Sequence, residues 1–209
     1  MRDAERRSPA AGRSSPRISI RTPRQGVRLA AISLGVVLVA ILGGCRSTHP
    51  PLDVVDEVDL DRYLGRWYEI ASFPQRFQRG CVASKATYTR RDDGRIGVLN
   101  ECRDGSFDGE LRRADGVAWV ADEEGSPAKL KVQFFWPFRG DYWIIELDPE
   151  YRYAAVGHPS RDYLWILARS PTLDPRLYRT LSARLEAQGY DLSRLRLTPQ
   201  PPPAERTSD

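Results

Sequence analysis

Between residues 66 and 169 apolar and polar positions alternate in short runs, separated by clusters of turn-forming residues. Alternation with a period of two marks half-buried β-strands, because successive side chains leave a strand on opposite faces. Eight strands are predicted, over 66–72, 82–90, 95–102, 116–121, 128–135, 142–147, 153–157 and 163–169. Their connections are short, and short connections join antiparallel neighbours rather than parallel crossovers. The expected fold class is all-β: an eight-stranded antiparallel up-and-down β-barrel. After the last strand the pattern changes to a four-residue repeat, Leu177, Leu181 and Leu185, framed by Asp174 as N-cap, Pro175 at the first helical position and Gly189 as stop. This predicts one C-terminal α-helix packed outside the sheet.

A meander that closes has no free edge, and eight strands leave an interior that side chains can fill or that can hold one small ligand. Closure makes the first and last strands neighbours, so Trp67 and Arg169 fall side by side at one end, with a cation–π contact expected. The alternation also sorts the faces. Lys129, Lys131 and Gln133 must be wet, which turns Leu130, Val132 and Phe134 inward. Lys85 outward places Ala86 and Tyr88 inside; Tyr163, Trp165 and Leu167 share the face of Arg169, and Trp119 is assigned inward. Glu69 and Ala71 share the face of Trp67. An unpaired carboxylate in a dry core is costly, so an inward Glu69 favours a wet or ligand-filled interior. Phe73 and Phe77 after the first strand, and Trp136 and Phe138 after the fifth, fall at the rim opposite Trp67. There they could grip a ligand, touch a membrane, form a dimer contact or close the barrel.

The segment before the domain changes the reading of charge. Residues 1–28 carry eight arginines and two acids, and residues 29–42 are an uncharged apolar run of 14, followed by Gly43, Gly44 and Cys45. This order describes an export signal, and the run is shorter than the span of about 20 residues that crosses a membrane. The whole chain is +4, but residues 46–209 hold 24 basic and 26 acidic residues, so the basic balance belongs to the signal and gives no ground for a nucleic-acid partner. Leu42-Gly43-Gly44-Cys45 resembles a bacterial lipobox, which implies acylation at Cys45; Arg46 after it implies the outer membrane. The expected organisation is a lipoprotein signal peptide over 1–44, a lipidated tether over 45–58, the barrel domain over 59–198, and a disordered proline-rich tail over 199–209. In an oxidising compartment a disulfide is the leading reading of Cys81 and Cys102, which lie at one rim on neighbouring strands. No metal site or cofactor is expected from two scattered histidines.

Gly65-x-Trp67 opening the first strand, Arg169 closing the last, and a helix after it resemble the lipocalin family. The turn around Asp148 is similar to the family's second motif, with Leu147 where that motif has threonine. The texts 63–80, 130–142 and 160–169 look like the bacterial outer-membrane lipoprotein lipocalins. By that resemblance Gly65, Trp67, Asp148 and Arg169 are structural motif residues, and Tyr142, Ile144 and Glu146 line the barrel. The ligand-lining set is then Glu69, Ala71, Tyr88, Trp119, Val132, Phe134, Tyr142, Ile144, Glu146, Tyr163 and Trp165. The resemblance implies a carrier of fatty acids or lysophospholipids held on the outer membrane, with a homodimer known in the subfamily. A tethered interaction protein with a filled barrel is the alternative. An enzyme is not expected: the cysteines have no histidine partner and no nucleophile motif is present.

Overall fold

The structure, a computed structural model, describes residues 49–122 and 124–202. Eight strands form the barrel: β1 (Gly65–Ser72), β2 (Cys81–Arg90), β3 (Ile96–Asp104), β4 (Leu111–Val120), β5 (Lys129–Phe135), β6 (Phe138–Leu147), β7 (Tyr153–Gly157) and β8 (Leu164–Ala168). Each pairs antiparallel with the next, and β1 pairs with both β2 and β8, which closes the sheet. Helix α1 (Leu60–Tyr63) precedes β1, helix α2 (Pro175–Ala187) follows β8, and a two-residue strand β9 (Arg196–Leu197) pairs with the end of β1. Asp174 caps α2 through the amides of Arg176 and Leu177, as its place before Pro175 predicts.

Two apolar clusters divide the wall. The inner one joins Trp67, Ala86, Tyr88, Val98, Ala118, Leu130, Ile144 and Leu167. The outer one packs Leu181 and Leu185 of α2 against Ile70, Ile145, Leu164 and Ile166.

Two β-bulges correct the face assignments. In β1 the register against β8 shifts between Glu69 and Ala71, so Ile70 and Ala71 both join the outer cluster. In β6 it shifts between Ile144 and Glu146. Ile145 then packs in the outer cluster, Glu146 accepts from Arg184 Nη1 (3.2 Å) and Gln188 Nε2 (3.5 Å) at the helix, and Leu147 returns inward. A bulge places one extra residue in the strand, and every side chain beyond it changes face. Ala71 and Glu146 are therefore outside the lumen.

The ends of the domain are more engaged than their composition predicts. Leu52 and Val58 are buried, and the Val55 amide donates to Ile144 O (3.1 Å), so most of the expected tether lies against the barrel. At the other end the Ala83 amide donates to Pro199 O (2.8 Å), and Gln200 Nε2 donates to Glu69 O and Ser84 O. The tail expected from residue 199 is thus, at its start, part of the fold. It fills the seam where β1 leaves β2.

Candidate functional site

The barrel has a floor, crossed by the connections 91–95, 121–128 and 148–152, and a mouth, crossed by 73–80, 105–110, 136–137 and 158–163. At the floor Trp67 is fully buried, and its indole Nε1 donates to Tyr63 O (2.8 Å). The Arg169 guanidinium stands 4.0 Å from its ring centre. Gly65 is left-handed, and a Cβ there would meet Arg169 Nη1 at 3.3 Å, which is why this position takes glycine. Asp148 is buried in the next floor turn, accepting from the Arg152 side chain at 2.7 and 3.0 Å and from the Arg152 amide. The Arg152 bonds hold its carboxyl below the ordinary carboxylate range.

Above the floor the inner wall is mostly apolar, with a polar point at three tyrosine hydroxyls and the half-buried Asn100, opposite Ala86, nearer the mouth. The hydroxyl of Tyr142 shares hydrogen bonds with those of Tyr63 (2.9 Å) and Tyr88 (2.8 Å). Three hydroxyls carry three hydrogens and the two bonds use two, so one O–H remains to donate into the interior. Burial pushes all three phenols up, Tyr88 to about 12. Around them lie Ala86, Val98, Ala118, Val132, Phe134 and Ile144.

At the mouth Glu69 faces inward, but its carboxylate is taken. Oε1 accepts from Ser72 Oγ (3.0 Å) and Thr198 Oγ1 (2.5 Å), and Oε2 accepts from Gln78 Nε2 (2.7 Å). Gln78 Oε1 in turn accepts from the indole of Trp165 (3.2 Å). One carboxylate thereby ties β1, the 73–80 loop and the C-terminal segment around a crevice of about 380 Å³. Beside it the disulfide Cys81–Cys102 joins β2 to β3, with the register shift between Val82 and Lys85 absorbing the offset.

A closed eight-stranded barrel with an external helix, an arginine over a floor tryptophan and a left-handed glycine before it is a specific combination. The family model for the lipocalin-like domain matches residues 58–200. This chain belongs to the lipocalin family. It is 43% identical to Temperature-induced lipocalin-1 of Arabidopsis thaliana over 167 residues, covering 75% of this chain and 88% of that one. It is 40% identical to Outer membrane lipoprotein Blc of Escherichia coli (strain K12) over 179 residues, covering 84% and 99%. Among solved structures, insecticyanin from the tobacco hornworm Manduca sexta superposes with a TM-score of 0.60 at 20% identity, over 76% of this chain and 88% of that one. That likeness is one of fold.

Within this lipocalin the predicted lining residues separate into two groups. Tyr88, Val132, Phe134, Tyr142, Ile144 and Trp165 belong to or pack on the inner cluster, and Tyr163 stacks on Trp165 near the mouth (6.1 Å between ring centres). Trp119 sits opposite Lys131, whose ammonium reaches Asp141 on the outer wall, while its neighbour Ala118 takes the inner face. Trp119, Ala71 and Glu146 thus leave the lining. Phe73 also leaves the rim: it is fully buried in the outer cluster, edge-on to Tyr190 and under Arg194. Phe77, Trp136 and Phe138 are exposed at the mouth. Glu69 and Glu146 stand on opposite sides of the wall. Cys45 and the segment read as an export signal lie outside the described residues. Sequence reasoning missed Tyr63, Gln78 and Thr198. Tyr63 precedes the strand, Gln78 is one polar residue in a loop, and Thr198 opens a proline-rich stretch that reads as tail.

Proposed function

We propose that this lipocalin is a lipid-anchored carrier of fatty acids or lysophospholipids, held at the outer membrane through Cys45 and serving lipid storage or transport in the envelope. The observation that carries the reading is the interior: a mostly apolar wall with a buried hydroxyl cluster that has one hydrogen to give. Such a surface suits an acyl chain with one oxygen acceptor, either a carboxylate or an ester carbonyl. The likeness to proteins named outer membrane lipoproteins supports the location, as does the lipobox-like text ending in Cys45. Lipocalins are typically binding proteins rather than enzymes, which supports a carrier.

Burial of a long acyl chain offers on the order of 10 kcal/mol before the cost of association, which fits micromolar binding. Native mass spectrometry of the protein as purified, followed by delipidation and titration with a fluorescent fatty acid, tests the carrier. A bound single-chain lipid and saturable uptake are expected. A barrel that arrives empty and takes up nothing would leave the alternative, an interaction protein with a filled barrel whose exposed rim is the contact surface.

A further inference from the structure

The apolar surface of this molecule is gathered at one end. Among the described residues the exposed large hydrophobic side chains are Phe77, Phe107, Phe135, Trp136, Phe138 and Tyr163, with Leu197 the one other. The six aromatic residues fall on or beside the four mouth connections. Basic residues stand among them: Arg76 and Arg79 flank Phe77, and Arg139 follows Phe138. Exposed tryptophan and phenylalanine beside arginine is the composition of a surface that sits at a bilayer interface.

The beginning of the folded chain lies at the same end. Arg161, in the 158–163 mouth connection, is buried and donates to Pro50 O (2.8 Å), to Gln188 O (3.1 Å) and to Pro159 O (2.7 Å). Two residues on, Leu52 is buried in the outer cluster. The chain is therefore fixed to the mouth end at residue 50, and only four residues, five Cα–Cα steps, separate that point from Cys45. Five extended steps reach at most about 18 Å. A ten-residue strand such as β2 is about 33 Å long and, tilted by about 40° to the barrel axis, spans about 25 Å between floor and mouth, so a leash of this length cannot bring the floor to the membrane.

We propose that the mouth docks on the bilayer that holds the Cys45 anchor. Phe77, Trp136 and Phe138 enter the interface, and Arg76, Arg79 and Arg139 meet the lipid phosphates. The proposal rests on acylation at Cys45. Charge around the rim agrees with it. The 73–80 connection and the start of β6, which flank the tether at 158–163, bring these arginines; Asp162 in 158–163 is paired with Arg194 (3.8 Å), and Asp108 and Glu110 sit at 105–110, across the rim from the tether. The barrel leans with its acidic loop lifted away from the lipid. In this orientation an acyl chain passes between bilayer and lumen without crossing water.

The test uses the full-length acylated protein on vesicles of phosphatidylethanolamine and phosphatidylglycerol with brominated acyl chains. The protein should float with the vesicles, and bromine should quench a part of its tryptophan emission that is missing in W136F. Changing Arg76, Arg79 and Arg139 together to glutamate should weaken that quenching while flotation persists. If the protein floats and W136F is quenched as much as the wild type, the docking is overturned and the anchor stands. If the wild type does not float, the anchor reading is overturned and the docking with it. A Phe138→Cys variant that forms disulfide-linked pairs on the vesicles in place of bromine quenching would show a second copy at the rim and overturn the proposal as well.

Discussion

Arg169 and Trp67 lock the two ends of the barrel sheet to each other. The guanidinium lies 4.0 Å from the indole centre, and it also donates to the carbonyls of Arg66 (2.9 Å), Arg62 (2.7 Å) and Tyr151 (3.3 Å). The residue after β8 thus holds the start of β1, the end of α1 and the β6–β7 turn around one planar cation. Removing the fork should open the floor at once on all three sides. R169A is expected to lower stability by about 2–4 kcal/mol, since it removes a cation–π contact and charge-assisted hydrogen bonds at a partly exposed site. R169K keeps the charge and loses the fork, and should fall between the two. Urea unfolding monitored by tryptophan emission measures both, and a wild-type midpoint in R169A would refute the role.

The second prediction concerns the carboxylate that joins the mouth. Glu69 accepts from three side chains of three chain segments, and it is almost fully buried. E69A leaves Ser72, Gln78 and Thr198 without their acceptor and should cost about 2–4 kcal/mol. The loss should be local before it is global. Hydrogen exchange is expected to accelerate in residues 73–80 and 196–200 of E69A, while the floor amides around Trp67 keep their protection. Uniform acceleration across the barrel would argue against a clamp.

The barrel, its strand order and its helix were legible because alternation, turn residues and capping residues agree along the chain. Individual faces were not, wherever a bulge intervened. Ala71 and Glu146 both lie just past a register shift, and no residue type at Ile70 or Ile145 announces it. Phe73 follows the same displaced alternation into the outer cluster. Trp119 was misplaced for a different reason. Large aromatic residues read as interior, but in β4 the inner positions are held by Ala118 and by Gly116, whose backbone approaches the Phe134 ring. The hydroxyl cluster was half visible: Tyr88 and Tyr142 follow from strand alternation and the family resemblance, while Tyr63 comes from a helical turn that no periodicity marks.

The disulfide supplies a third test. Cys81 and Cys102 are 21 residues apart and close the β2–β3 hairpin at the mouth. A cross-link over a loop of this size contributes about 3 kcal/mol, mainly by restricting the unfolded chain. The C81S/C102S variant should lose about that much stability, and dithiothreitol should shift the wild type towards it. Reduction that leaves the urea midpoint unmoved would count against the bridge.

The tyrosine cluster makes the stability of the lipocalin depend on alkaline pH. In the folded chain burial pushes Tyr88 up to about 12 and holds Tyr63 and Tyr142 above their ordinary value, whereas in the unfolded chain all three ionise near 10. Above that value the unfolded state binds fewer protons than the folded one, so stability falls as pH rises. The contribution of Tyr88 is complete below pH 10 and is lost progressively through about 12, and those of Tyr63 and Tyr142 fall in the same direction as pH rises. A phenolate absorbance titration should therefore show the exposed members of the nine tyrosines ionising first, and this cluster only together with loss of the folded tryptophan spectrum. The Y142F variant separates the cluster from burial alone. It removes the hydroxyl that links the other two, and the hydrogen bonds to Tyr142 are what pull the Tyr63 and Tyr88 values down. Without them the two remaining phenols should resist ionisation further, and the alkaline transition of Y142F should be the unfolding of the barrel with no phenol titrating inside it. Early, reversible ionisation of Tyr63 or Tyr88 in the intact barrel would mean that water reaches the cluster, and the dry hydroxyl site proposed for the ligand's oxygen would have to be abandoned.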